Sequence, residues 1–313
     1  MIHQTMLRTA LKALKTGSDG SVHDENQYAG IVRWVLEHGT QENGRNGKVL
    51  ADTGAAMQFS LKDGTLPLFT TKRVAWKSCI EELLWFIRGE TDSKSLASRG
   101  VHIWDGNGSR EFLDARGLTA NEEGDLGPVY GHQWRHFNAA YRGAGADYDG
   151  QGVDQLAHVI NALADPDQRA SRRIVMSAWN PCQIPQMALP PCHLLAQFHV
   201  RDGRKLSCSL YQRSADLALG VPFNVASYAA LTHLLAALCG LEADELTHHI
   251  GNCHVYAGHE EGLLQQLERQ PRPFPKIRIS GVGPDTPLES LSRENFELTG
   301  YHPHPKIAFA FRA

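Results

Sequence analysis

Apolar positions along the chain fall into helical, alternating and continuous runs. Tyr28, Ile31, Val32, Val35 and Leu36 follow the i, i+3, i+4, i+7, i+8 spacing of an amphipathic helix, which Gly39 ends. Between Trp76 and Gly89, Ile80, Leu83, Leu84 and Ile87 share a helical face that Trp85 and Phe86 widen. Val153 to Leu163 predicts a helix stopped by Asp165-Pro166, and Ser227 to Leu238, apolar almost all round, a central buried helix closed by Gly240. Leu194 to Arg201 and Lys205 to Arg213 flank Asp202-Gly203, which signals a two-residue hairpin turn. Strands are also expected at Ile174 to Trp179 and Lys276 to Ser280. Val101 to Asp105 reads as a short strand or loop, Gly127 to Trp134 as a loop lining a site, and Gly143 to Gly152 as a loop. Near the start, Leu7, Leu11 and Leu14 with Arg8, Lys12 and Lys15 suggest a short accessory helix, or a transit-like segment, before a Gly/Ser/Asp linker. No apolar stretch reaches the roughly 18 residues of a membrane span.

With 42% hydrophobic and 21% charged residues, the chain has the balance of a soluble globular protein. A formal net charge of −3 supplies no global basic field, so neither nucleic acid nor membrane is an expected partner, and any anion must be held by local arginines. The six cysteines form no C-x-x-C pair, which suits a reducing, cytoplasmic setting. The sixteen histidines show no H-E-x-x-H or finger spacing, so no metal is expected.

Candidate chemistry centres on Pro190-Pro191-Cys192-His193. Two prolines restrict the backbone ahead of one thiol, which is either a nucleophile or a packed buried cysteine. A hairpin pairing Arg201 with Arg204 sets Cys192 opposite Arg213, whose guanidinium would favour a thiolate or hold a phosphate; a one-residue slip would undo this. Glu81 can pair with Lys77. Glu82 has only Ser78, Cys79, Trp85 and Phe86 at its helical neighbours, and should have a raised pKa suited to proton transfer, unless it faces solvent. Asn43 to Lys48 is a glycine-rich basic segment, either an anion loop around Arg45 or an exposed turn.

These residues assemble into a resemblance. Thr70-Thr71-Lys72-Arg73, Glu82 to Phe86, Asp125 to Gly131, Arg172-Arg173, Pro191-Cys192-His193, Leu210 to Ser214, Pro222-Phe223-Asn224, His254-Val255-Tyr256 and Tyr301 to Pro305 resemble, in order, the folate-dependent thymidylate synthases. The likeness runs from about Asn26 to the end, leaving residues 1–25 as an N-terminal extension. It implies one α+β domain at 26–313, with a twisted mixed sheet packed by helices and a sheet face forming a homodimer interface. The implied activity converts dUMP to dTMP, with 5,10-methylenetetrahydrofolate giving carbon and hydride.

Carried over residue by residue, Cys192 adds to carbon 6 of uracil, Glu82 organises proton transfer and Tyr130 helps remove the proton on carbon 5. Arg45, Arg213 and Ser214 take the phosphate, joined by Arg172 and Arg173 from the partner subunit. Asn224 reads the pyrimidine, with Gln212 and His193 as further substrate-binding residues; His254 and Tyr256 hold the sugar hydroxyl. Ile103, Trp104, Asp216, Leu219, Gly220, Phe223 and the terminal Ala313 form the folate side.

Three departures stand out. Arg45-Asn46-Gly47-Lys48 replaces the usual Arg-Thr-Gly-Thr, Asn252 stands for an aspartate, and the tail ends on bulky Phe309-Ala310-Phe311-Arg312-Ala313. The tail keeps open a hydroxymethylase acting on dUMP or dCMP, with water replacing hydride; a silent nucleotide- or RNA-binding relative is a third reading.

Overall fold

The computed structural model describes residues 23–44 and 46–311. The accessory helix expected around Leu7 to Leu14, Arg45 of the phosphate loop and Ala313 of the tail lie outside the described residues. Strands β1 (Thr40–Gly44), β2 (Gly47–Ser60), β3 (Val175–Ser177), β4 (His193–Arg201), β5 (Lys205–Asp216) and β6 (Glu242–Tyr256) join in one sheet ordered β1-β2-β6-β5-β4-β3. A separate ribbon pairs β7 (Lys276–Ile279) with β8 (Phe296–Thr299). The main helices are α1 (Glu25–His38), α2 (Trp76–Ile87), α3 (Tyr130–His136), α4 (Gln155–Ala164), α5 (Gly220–Leu238) and α6 (Glu260–Leu267). Sheet and helices enclose one continuous hydrophobic core, a single mixed α/β domain.

Every neighbouring pair in the large sheet is antiparallel except β5 and β6. Those two run parallel because α5 carries the chain back across the sheet between them. Along β5, Leu206, Cys208, Leu210 and Gln212 are buried, whereas Ser207, Ser209 and Tyr211 lie on the opposite face, with Tyr211 43% exposed. The period of two thus leaves one face of the sheet packed under α5 and the other, among the described residues, partly exposed.

Helix α5 begins seven residues earlier than its apolar run suggests and ends as expected at Gly240, which takes a positive φ of 63°. Contrary to the reading of the sequence, it is long and apolar enough, by length and composition, to cross a membrane. Its burial explains that composition: Leu231, Leu234 and Leu235 are at most 1% exposed, and truncating any one to alanine should cost roughly 2–5 kcal/mol.

Gly39 ends α1 as expected, with φ −60°; a Cβ there would lie 2.5 Å from the Val35 carbonyl oxygen, so close approach is what demands glycine. Two local expectations need correction. Gly127 to Trp134 is not all loop, because α3 starts at Tyr130. The hairpin register pairs Arg201 with Lys205, not Arg204. Asp202 and Gly203 take positive φ and the Arg204 amide donates to the Arg201 carbonyl at 3.1 Å, as the turn signal requires, yet Arg204 stays outside the β4–β5 ladder. A bulge between His193 and Leu195 absorbs that residue and restores the Cys192–Arg213 juxtaposition.

Candidate active site

Parallel strands bring their C-terminal ends to one edge of a sheet. Here Ser214 lies beside Asn252 and Asp216 beside His254, while β2 pairs Val49 with Tyr256. The first turns of α5 add Leu219 to Asn224, and the segment entering β4 adds Cys192.

Cys192 is held from two sides. The Arg213 amide donates to the Cys192 carbonyl at 2.8 Å. The Arg213 guanidinium donates from Nε to Pro191 O and from Nη2 to Pro190 O, both at 2.8 Å, and Nη2 lies 3.6 Å from Cys192 Sγ. The two prolines therefore also supply the carbonyls that aim the cation at sulfur, the surroundings that favour a thiolate. On the other side, the Cys192 amide donates to the Tyr130 hydroxyl at 2.8 Å, which leaves the phenolic proton for another acceptor. Burial holds the Tyr130 pKa well above its usual value.

His193 turns away from this chemistry. Its ring stacks on Tyr130 at 4.2 Å, its Nδ1 meets the Tyr228 hydroxyl at 2.9 Å, and burial lowers its pKa to about 3. It is a neutral packing group at ordinary pH, placed to support Tyr130.

Glu82 is buried on α2, and burial raises its pKa to about 7, in the direction expected; the Trp104 Nε1–H, donating to Oε1 at 2.7 Å, opposes part of the rise. Glu81 pairs with Arg293 at 3.6 Å, not with Lys77. Trp104 thus has a polar task beyond the folate-facing one expected of it.

Asn224 Oδ1 accepts from Gln212 Nε2 at 3.0 Å. The His254 Nδ1–H donates to Asn252 Oδ1 at 3.0 Å, so the amide at this position offers a neutral acceptor. Asp216 caps the turn after β5 by accepting from the Ala218 amide at 2.8 Å. Ile103, Leu219 and Phe223 are half-buried apolar groups, and a Cβ at Gly220 would reach within 3.7 Å of Asp216 Cβ. Together they form an apolar ledge with one carboxylate at its edge. Arg172 and Arg173 are exposed beside edge strand β3, where the Arg172 carbonyl accepts from Gln197.

Sequence reasoning gave no role to Lys72, Asn107 or His248. Lys72 is buried beside Asp216, donates to the Ala218 carbonyl and has its pKa lowered to about 8 by burial. Asn107 is buried, and its Nδ2 has no partner among the described residues. Only the unusual depth of these polar groups marks them, and depth is not visible in sequence. Of the tail aromatics, Phe309 packs edge-on against His259 at 5.2 Å, and a Cβ at Gly262 would meet it at 2.6 Å, whereas Phe311 is 60% exposed. Among the described residues, no group of three or more His, Cys, Asp or Glu side chains is placed to hold a metal ion.

An arginine-flanked thiol, a buried carboxylate titrating near neutrality and an oriented amide define an enzyme site suited to covalent catalysis. A family model described as thymidylate synthase matches residues 26–313. The thymidylate synthase 1/2 of Encephalitozoon cuniculi is 54% identical over 287 residues, covering 91% of this chain and 96% of the relative. The human thymidylate synthase is 52% identical over 287 residues, covering 91% and 90%. A bifunctional dihydrofolate reductase-thymidylate synthase of Leishmania amazonensis is 52% identical over 288 residues, which are 54% of its length. The chain belongs to the thymidylate synthase family. It is a methyltransferase whose reaction is the methylation of dUMP to dTMP, with methylenetetrahydrofolate as cosubstrate, and the hydroxymethylase alternative is not favoured.

Proposed function

We propose that this reaction runs through covalent addition of Cys192 to carbon 6 of the uracil ring. The observation that carries the reading is the Arg213 guanidinium, fixed by two proline carbonyls and 3.6 Å from the Cys192 sulfur. Addition at carbon 6 makes carbon 5 nucleophilic, so an otherwise inert position can accept a one-carbon unit. Methylenetetrahydrofolate supplies that unit and the hydride. Tyr130, with its own proton uncommitted to Cys192, helps move the proton on carbon 5. Glu82, half-ionised near pH 7, exchanges protons with the ring through water.

Arg213 and Ser214, with Arg45 of the preceding loop, bind the phosphate; Arg172 and Arg173 reach it from a second copy of the chain. The sheet face that is partly exposed among the described residues, with Ser207, Ser209 and Tyr211 on β5 and His249 on β6, supports a homodimer built on that face. Asn224 reads N3–H and O4 of uracil, and His254 with Tyr256 holds the sugar hydroxyl. Ile103, Trp104, Asp216, Leu219, Gly220 and Phe223 receive the folate, over which the tail through Ala313 closes. A cytoplasmic location is supported by six cysteines that form no disulfide.

The test is incubation with dUMP and methylenetetrahydrofolate, the nucleotide identified by mass spectrometry and dihydrofolate followed by absorbance. Thymidylate with matching dihydrofolate supports the reading; hydroxymethyl-dUMP without folate oxidation would overturn the last step.

A further inference from the structure

The hydrogen bonds behind Asn224 run in one direction only. Gln212 Nε2 donates twice, to the Ser214 carbonyl and to Asn224 Oδ1, each at 3.0 Å. A backbone carbonyl can only accept, so it fixes which end of the Gln212 amide is nitrogen. Gln212 Oε1 must then face His248, whose Nε2 lies 2.9 Å away and must carry a proton. His248 is 0% exposed, in the middle of β6 between Leu210 of β5 and Met57 of β2, and its Nδ1 has no partner among the described residues.

We infer that His248 is a positioning residue for pyrimidine specificity: its Nε2–H locks Gln212, and Gln212 locks the Asn224 amide in the orientation that reads uracil. This rests on the proposal that Asn224 reads the base. With Oδ1 turned to Gln212 and Nδ2 free to donate, Asn224 matches the acceptor O4 while a second Oδ1 lone pair takes N3–H. A flipped Asn224 would present donor and acceptor in the reverse order, which matches N3 and the amino group of cytosine. Such a flip would set Asn224 Nδ2 against Gln212 Nε2, donor against donor. Gln212 could relieve that clash only by turning its own amide, which would oppose two oxygens at Ser214 and would force the His248 proton from Nε2 to Nδ1, a buried position with no partner among the described residues.

The experiment compares dUMP with dCMP in wild type, His248→Phe and His248→Gln, by calorimetric binding and by turnover, with melting temperature recorded for each. Loss of one orienting hydrogen bond should lower the dUMP-over-dCMP binding ratio of His248→Phe about tenfold. His248→Gln, which restores a donor, should recover much of it at similar stability. An unchanged ratio in His248→Phe would overturn the inference. Should His248→Phe fail to fold, the imidazole nitrogen spectrum of the ¹⁵N-labelled wild type decides: protonated Nε2 with bare Nδ1 supports the lock, and the opposite tautomer refutes it. Asn224→Asp is the control for the underlying reading. If that change does not move preference toward dCMP, the assignment of Asn224 has failed, whatever His248 does.

Discussion

Replacing Glu82 by glutamine should make the protein more stable at alkaline pH while removing its activity. The fold holds the Glu82 proton up to about pH 7, whereas in the unfolded chain the carboxyl releases it near the ordinary value of 4.5. Between those values the unfolded state binds fewer protons, so stability falls as pH rises. Values of about 7 in the fold and 4.5 in the unfolded chain correspond to roughly 3 kcal/mol, most of it lost between pH 5 and pH 8. The glutamine of the Glu82→Gln variant cannot ionise, yet its amide oxygen can still accept from Trp104 Nε1. Urea denaturation of both proteins at about pH 5, 6, 7 and 8 should therefore give curves that diverge steadily, the variant gaining on the wild type. Parallel curves would show that Glu82 titrates at an ordinary value, and the proton-transfer role would lose its physical basis.

Other perturbations separate the neighbouring contributions. Trp104→Phe removes the hydrogen bond that favours the ionised carboxylate, so the Glu82 inflection in the pH dependence of kcat/KM should move above 7, by about one unit; an unmoved inflection would deny the coupling. Tyr130→Phe keeps the stacking on His193 but removes the hydroxyl, and kcat should fall about a hundredfold or more with only a small change in melting temperature. A kcat within threefold of wild type would count against Tyr130. Gly39→Ala forces a Cβ against the Val35 carbonyl and should cost about 1–3 kcal/mol in denaturant titration with activity intact; no measurable cost would mean that α1 yields there.

Much of the site was legible because its members lie close in sequence or on one ladder. The apolar spacing of α1, α2 and α5 gave three helices, and the isolation of Glu82 from any cation within its helix gave the direction of its pKa. The pairing of Cys192 with Arg213 emerged from an assumed register one residue off over most of the hairpin, and the bulge at His193 compensated. That agreement owes something to chance, since no residue near 193 announces a bulge. The partner of Glu82 lies 22 residues away, beyond the end of α2 and a further short helix, and could not be read from helical neighbours. The long strands β2 and β6 were also missed: Gly54 interrupts one, and polar Asn252 and His254 dilute the other where the site is built. His248 was hidden for the same reason, as one of two adjacent histidines with nothing local to show which faces inward.

The most direct test of the central claim is turnover of dUMP with methylenetetrahydrofolate by the wild type and by Cys192→Ala, each shown folded by its melting transition. The account predicts thymidylate from the wild type and none above background from the variant, because the nucleophile that adds to carbon 6 is the Cys192 thiol beside Arg213. Thymidylate formed by folded Cys192→Ala at a rate near that of the wild type would contradict it.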